Sequence, residues 1–188
     1  MNDNLKNTIF AHYKKTRKGK INKIVKERYL RSDLECGSLH KSILKEEQLY
    51  KLISESNHKS ALLVDTNICL HEIDVLEYKF TNKIPIIILQ TVLQELKSLN
   101  VSSYKRIRSL IEDENSLFII YANEHSVYTA LQRGEKEIIN DYNDRLIRKS
   151  VSYYTQEMAE VESSMKSNFG ISVVLITNDV DNKVSIDV

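Results

Sequence analysis

The chain predicts an α/β fold with a parallel sheet covered by helices on both faces. Three observations point there. Ala61-Leu62-Leu63-Val64 runs unbroken into Asp65-Thr66-Asn67. Val173-Val174-Leu175-Ile176 runs into Thr177-Asn178-Asp179 in the same way. Between them, short apolar runs alternate with stretches of helical periodicity, the signature of strands linked by crossover helices. Uninterrupted apolar strands read as buried on both faces. Right-handed crossovers put the carboxyl ends of such strands on one rim, where open α/β folds place their ligands.

The elements follow in order. Residues 1–31 form a basic arm with ten Lys/Arg against two acids, Asp3 and Glu27, while the rest of the chain is net −7. Lys14, Lys15, Arg17, Lys18 and Lys20 cluster beside His12 and Tyr13. Cations beside aromatic rings suit phosphate and base contact, and a solvated tail or an acidic protein partner suits the composition equally. Ile21, Ile24, Val25 and Tyr29 have rough helical spacing, so part of the arm is expected to pack on the body. Cys36 and His40 supply at most two zinc ligands where a structural site needs four. Residues 45–54 read as a short surface helix. The first strand is 61–65, followed by helix and loop through Tyr78, with Cys69 as core. Pro85 opens the second strand, 85–89, a position a strand tolerates. Residues 90–99 and 101–114 are helical, the second with a basic side of Lys105, Arg106 and Arg108. A third strand spans 117–121 and a helix 123–133. Asn140 to Asp144 start a long helix running to about Lys166. Gly170 stands where its stop is expected, before the fourth strand.

Size and composition narrow the class. The chain has 188 residues with 41% hydrophobic content, room for one domain and a small appendage. No apolar run approaches the ~20 residues of a membrane span. The polar, basic N-terminus does not read as a secretory signal. Two cysteines are too few for a disulfide framework and point to a reducing compartment.

Asp65, Glu95, Asp144 and Asp179 are the candidate rim acids, with Asp141 and Asp181 as neighbours. Each has a plainer role available. Asp65 and Asp179 suit helix caps, Asp144 can pair with Arg148, and Glu95 can be a solvated helix acid. Together they point to a site. Carboxylates sharing a cleft raise one another's pKa unless a cation joins them. Hard oxygen ligands suit Mg²⁺ or Mn²⁺ and not zinc. Such ions activate water and stabilise a phosphodiester in transfer. Asp181 is an alternative to Asp179 in the same loop.

These residues resemble a known family. Val64-Asp65-Thr66-Asn67 with Leu70-His71-Glu72-Ile73-Asp74-Val75-Leu76-Glu77 looks like the opening of a PIN domain. The similarity narrows to the N-terminal PIN domain of the catalytic ribonuclease subunit of the eukaryotic RNA exosome. It continues through Leu89–Glu95, Tyr104–Arg108, Asn123-Glu124-His125, Asn140–Arg145, Ile147-Arg148 and Ile176–Asp179, and covers Lys14–Arg17 and Lys23–Arg31 of the arm.

The resemblance implies a three-layer PIN-like fold over 61–188, preceded by a basic arm and a degenerate cysteine-motif region over 1–60. It implies a Mn²⁺- or Mg²⁺-dependent endoribonuclease cutting single-stranded RNA with Asp65, Glu95, Asp144 and Asp179, the same four holding the metal. Lys14, Lys15, Arg17, Lys18, Lys105, Arg106 and Arg108 would contact RNA. The domain would also dock on the exosome ring, in nucleus and cytoplasm, and be a monomer in isolation; a weakly active or inactive tethering module is the alternative. The chain departs from the pattern in three places. The family's cysteine cluster is reduced to Cys36, with Glu157 where a histidine ligand is expected, so zinc is not expected. The chain stops at Val188, short of the family's last helix and strand. The family's oligonucleotide-binding and exonuclease domains are not within these 188 residues, as expected of either an isolated fragment or a shortened protein.

Overall fold

The computed structural model describes residues 8–37, 45–56, 58–78, 84–167 and 169–179. Its centre is a four-stranded, all-parallel sheet. The strands are β3 (Ser60–Val64), β4 (Ile86–Leu89), β5 (Phe118–Tyr121) and β6 (Ser172–Ile176), in the order β5-β4-β3-β6. β4 is buried at all four positions, as its Ile-Ile-Ile-Leu run requires. β6 has the same apolar character but lies at the sheet edge, so Val174 is 43% exposed.

Helices flank the sheet in two groups. α1 (Glu46–Glu55) packs on α6 (Ile139–Ser164), and α6 also lies against β6. α2 (Thr66–His71), α3 (Ile73–Leu76), α4 (Gln90–Leu99) and α5 (Val101–Glu112) pack on one another and on β4 and β5. α1 is more than a surface helix. Leu49 and Tyr50, with Ile53 one turn further on, are all buried. The carbonyl of the Gln48 side chain accepts from the Lys45 N–H at 3.1 Å and closes its first turn. At its far end α6 stops at Ser164, and the Glu162 carboxylate accepts from the Phe169 and Gly170 N–H groups to turn the chain into β6.

Two expectations about secondary structure are corrected. The arm is a β-hairpin, β1 (Thr8–Lys15) paired antiparallel with β2 (Ile21–Arg28), and not a helix packed on the body. Its turn is built by Thr16 and Gly19. The Gly19 N–H donates to Thr16 O at 2.9 Å, and the Lys20 N–H donates to Thr16 Oγ1 at 3.1 Å. Gly19 holds φ +79°, a conformation that costs side-chain-bearing residues dearly. Ile21 and Tyr29 are 64% and 57% exposed. What packs on the body is the segment after the hairpin. Arg31 forms a parallel bridge with Ser126, Gly37 an antiparallel bridge with Ile120, and Cys36 is buried.

The second correction is the expected helix 123–133, which is a series of turns. Its polar groups are taken by tertiary partners. Asn123 is fully buried, and its amide carbonyl accepts from the Thr91 N–H at 3.3 Å while its NH₂ donates to Thr91 Oγ1 at 2.9 Å. The Thr129 hydroxyl donates to Asn123 O at 2.7 Å. Side chains of this kind compete with the helical ladder, and here they win.

Candidate active site

Asp65 leaves the carboxyl end of β3 and caps α2, where its Oδ1 accepts from the Thr66 N–H. The neighbouring strand end belongs to β6, because the register sets Val64 opposite Ile176. The Asp65 N–H donates to Ile176 O at 3.0 Å, so the ladder continues one residue beyond the strand. That pairing lays Thr177 beside Asp65, and the Thr177 hydroxyl donates to Asp65 Oδ2 at 2.7 Å. Thr177 Oγ1 in turn accepts from the Asp179 N–H at 3.0 Å, folding the loop after β6 back over the rim. On the other side, the Thr66 hydroxyl donates to Glu95 Oε2 at 2.8 Å. Glu95 is half-buried in the second turn of α4, which starts where β4 ends.

The carboxylates of Glu95 and Asp65 and the backbone N–H of Asp179 thus belong to one hydrogen-bonded chain running Glu95–Thr66–Asp65–Thr177–Asp179. Asp144 is half-buried in the second turn of α6, a helix packed on both α4 and β6, and the bonds just named do not reach it. Asp181 lies outside the described residues. The two threonines were visible in the repeated Asp-Thr-Asn and Thr-Asn-Asp junctions, but their role as hydroxyl links was not.

The site's electrostatics bear on metal binding. Asp65 is 2% exposed and bonded only to a hydroxyl and an amide, with no ion pair among the described residues. A buried carboxylate without a cation is costly. An oxygen-rich rim of this kind fits a hard divalent ion. Among the described residues, no three His, Cys, Asp or Glu side chains stand close enough to grip one ion as they are placed.

The basic residues divide. Lys15, Arg17 and Lys18 are exposed at the tip of the hairpin. Lys14 lies in β1 beside them. On α5, Lys105 is exposed, but the other two cations are already occupied. Arg106 donates from Nε to Glu77 at 2.7 Å and from Nη2 to both Glu77 and Asp74, tying α5 to α3. Arg108 donates to Glu112 Oε1 at 2.6 Å, a pair within one helix. The basic face expected on α5 is therefore largely neutralised, by Asp74 and Glu77 from the α3 segment and by Glu112 of α5 itself.

The cysteine region is organised around phenols. The Cys36 thiol is hydrogen-bonded to the Tyr154 hydroxyl in a buried contact, and burial pushes the thiol up to about 12. Glu157, a turn further along α6, is pushed up by partial burial and by Glu160 and Glu46. His40 lies outside the described residues. Cys69 is likewise a buried free thiol.

Comparison with known proteins agrees with this geometry. The family described as PIN domain matches residues 62–185. The human protein named "Exosome complex exonuclease RRP44" is 37% identical over 179 residues, covering 90% of this chain and 18% of that protein. Fission yeast "Exosome complex exonuclease dis3" is 32% identical over 182 residues, covering 88% and 18%. The chain spans less than a fifth of the length of these curated relatives. In fold it is similar to the PIN domain of T. brucei RRP44, with a TM-score of 0.64, 22% identity, and 84% of each chain covered. A parallel sheet delivering acids to one rim, a family match over residues 62–185 and a relative similar over 90% of the chain lead to one assignment: this chain belongs to the PIN domain family.

Proposed function

We propose that the chain is a divalent-metal-dependent endoribonuclease that cuts single-stranded RNA and works with an exosome ring. PIN domains are in general nucleases, and the relatives' names place them in exosome complexes. The observation that carries the reading is the threonine-linked chain of acids. Thr177 orients the Asp65 carboxylate at the end of β3, and Thr66 orients the Glu95 carboxylate on α4.

Asp65 and Asp179 would hold Mn²⁺ or Mg²⁺ directly, and Glu95 and Asp144 would complete the shell directly or through water. The bound ion would supply an acidified water and stabilise charge on the phosphodiester. Within that setting, Asp65 keeps its orientation through Thr177, and Glu95 and Asp144 orient the attacking water. Lys15, Arg17 and Lys18 would meet the RNA backbone, with Lys14 beside them. Lys105 adds to that surface, whereas Arg106 and Arg108 would first have to leave their carboxylates. The expected setting is nuclear and cytoplasmic, with a monomer in isolation.

The test is a circular single-stranded RNA incubated with Mn²⁺, since a circle opens only by internal cleavage. Linear product from the wild type, and none from Asp144→Asn, is expected. An uncut circle at every metal concentration, or equal cutting by the variant, overturns the reading. A second reading is a tethering module of little activity, motivated by the reduced cysteine region, where Cys36 is bonded to Tyr154. Under that reading the chain captures ring subunits but leaves the circle intact.

A further inference from the structure

We propose that Tyr128 is a stacking platform for a nucleobase of the RNA strand. The proposal rests on the RNA-cleaving reading above and adds a contact to it. Tyr128 stacks on Tyr153 of α6 with ring centroids 5.5 Å apart and planes 11° from parallel. Tyr153 stacks in the same manner on Tyr121, at 6.0 Å and 8°. Tyr121 and Tyr153 both meet Tyr154 edge-on, at 5.1 and 5.3 Å. The result is a column of near-parallel rings rising from the core at Tyr121, 1% exposed, to the surface at Tyr128, 48% exposed. Tyr128 is packed on Tyr153 on one side and is still 48% exposed, which leaves it accessible to a ligand. An accessible aromatic ring already packed on another ring is the kind of surface on which a base stacks.

The platform is held still. The Tyr128 N–H donates to Ser126 Oγ at 3.2 Å, and the Ala130 N–H donates to Ser126 O at 2.8 Å. Arg31 receives the Val127 N–H at 3.0 Å and donates to His125 O at 2.8 Å, pinning the loop from the arm side. A fixed ring loses little freedom on binding, which favours an anchor over a loose surface tyrosine. The loop leaves β5 at the rim that carries Asp65, two strands or about 10 Å across the sheet.

The experiment titrates the full chain, in EDTA to prevent cleavage, with a labelled oligoadenylate and with an abasic oligonucleotide of equal length and charge. Tyr128→Ala and Tyr128→Leu are expected to weaken oligoadenylate binding roughly 5- to 100-fold, and to leave abasic binding unchanged. Tyr128→Phe and Tyr128→Trp are expected to bind like the wild type. Wild-type binding that Tyr128→Ala and Tyr128→Leu leave intact overturns the platform alone. Equal losses for both oligonucleotides overturn it too, by making the ring structural. Retained RNA binding with lost capture of ring subunits makes this ring a protein contact and also overturns it. A wild-type chain that binds neither oligonucleotide removes the RNA reading and the platform together.

Discussion

The Thr177 hydroxyl donates to the Asp65 carboxylate at 2.7 Å across 112 positions of sequence, and the contact is buried. It joins the ends of β3 and β6 at the rim. Thr177→Val keeps the shape and removes the donor. Leaving a buried carboxylate short of one partner is expected to cost about 1–3 kcal/mol, read by urea denaturation. RNA cleavage should fall with it, and Thr177→Ser should recover both.

Asp65 is a buried negative charge without an ion pair among the described residues. Asp65→Asn should therefore fold at least as stably as the wild type in EDTA. Mn²⁺ should raise the melting temperature of the wild type and not of the variant. At a hundred times the dissociation constant, binding to the native state alone contributes about 2.7 kcal/mol. A matching rise in the variant would remove Asp65 from the metal shell.

Cys36 and Cys69 carry thiols pushed up from 9.0 to about 12, in each case chiefly by burial. For both, the native state holds its proton more tightly than the unfolded chain does. Their contribution is complete below pH 9 and declines as pH rises from 9 towards 12. Each thiol should cost about 1.4 kcal/mol per pH unit across that window. Urea midpoints at pH 8, 9 and 10 check this. Cys69→Ala should lessen the slope, because it removes one of the two groups.

The exposed cations and the paired ones should separate in salt. Replacing Lys15, Arg17 and Lys18 with alanine should reduce the slope of log affinity against log salt by about 2 for single-stranded RNA. Arg106→Ala should leave that slope unchanged, since Glu77 and Asp74 already hold the guanidinium. It should instead loosen α3 from α5, visible as faster amide exchange in Ile73–Leu76.

The parallel sheet, the two Thr-bearing strand ends, α4, α5 and the long α6 were legible along the chain, because each is written in contiguous apolar runs or helical periods. The β-hairpin was not, because Ile21, Ile24 and Val25 satisfy a loose helical spacing while the Thr16–Gly19 turn decides for strands. The turns at 123–133 were not, because the Thr91–Asn123 pair that holds them joins distant residues.

Sequence alone determined which carboxylates stand at strand ends and that they share a rim, since strand polarity follows from local pattern and crossover handedness. Only the tertiary structure decided that Thr66 and Thr177 link Glu95, Asp65 and Asp179, that Arg106 is spent on Asp74 and Glu77, and that four tyrosines pack into one cluster. Hydrogen bonds and stacking depend on side-chain positions within an ångström, and those positions are set by register and packing between elements far apart in the chain.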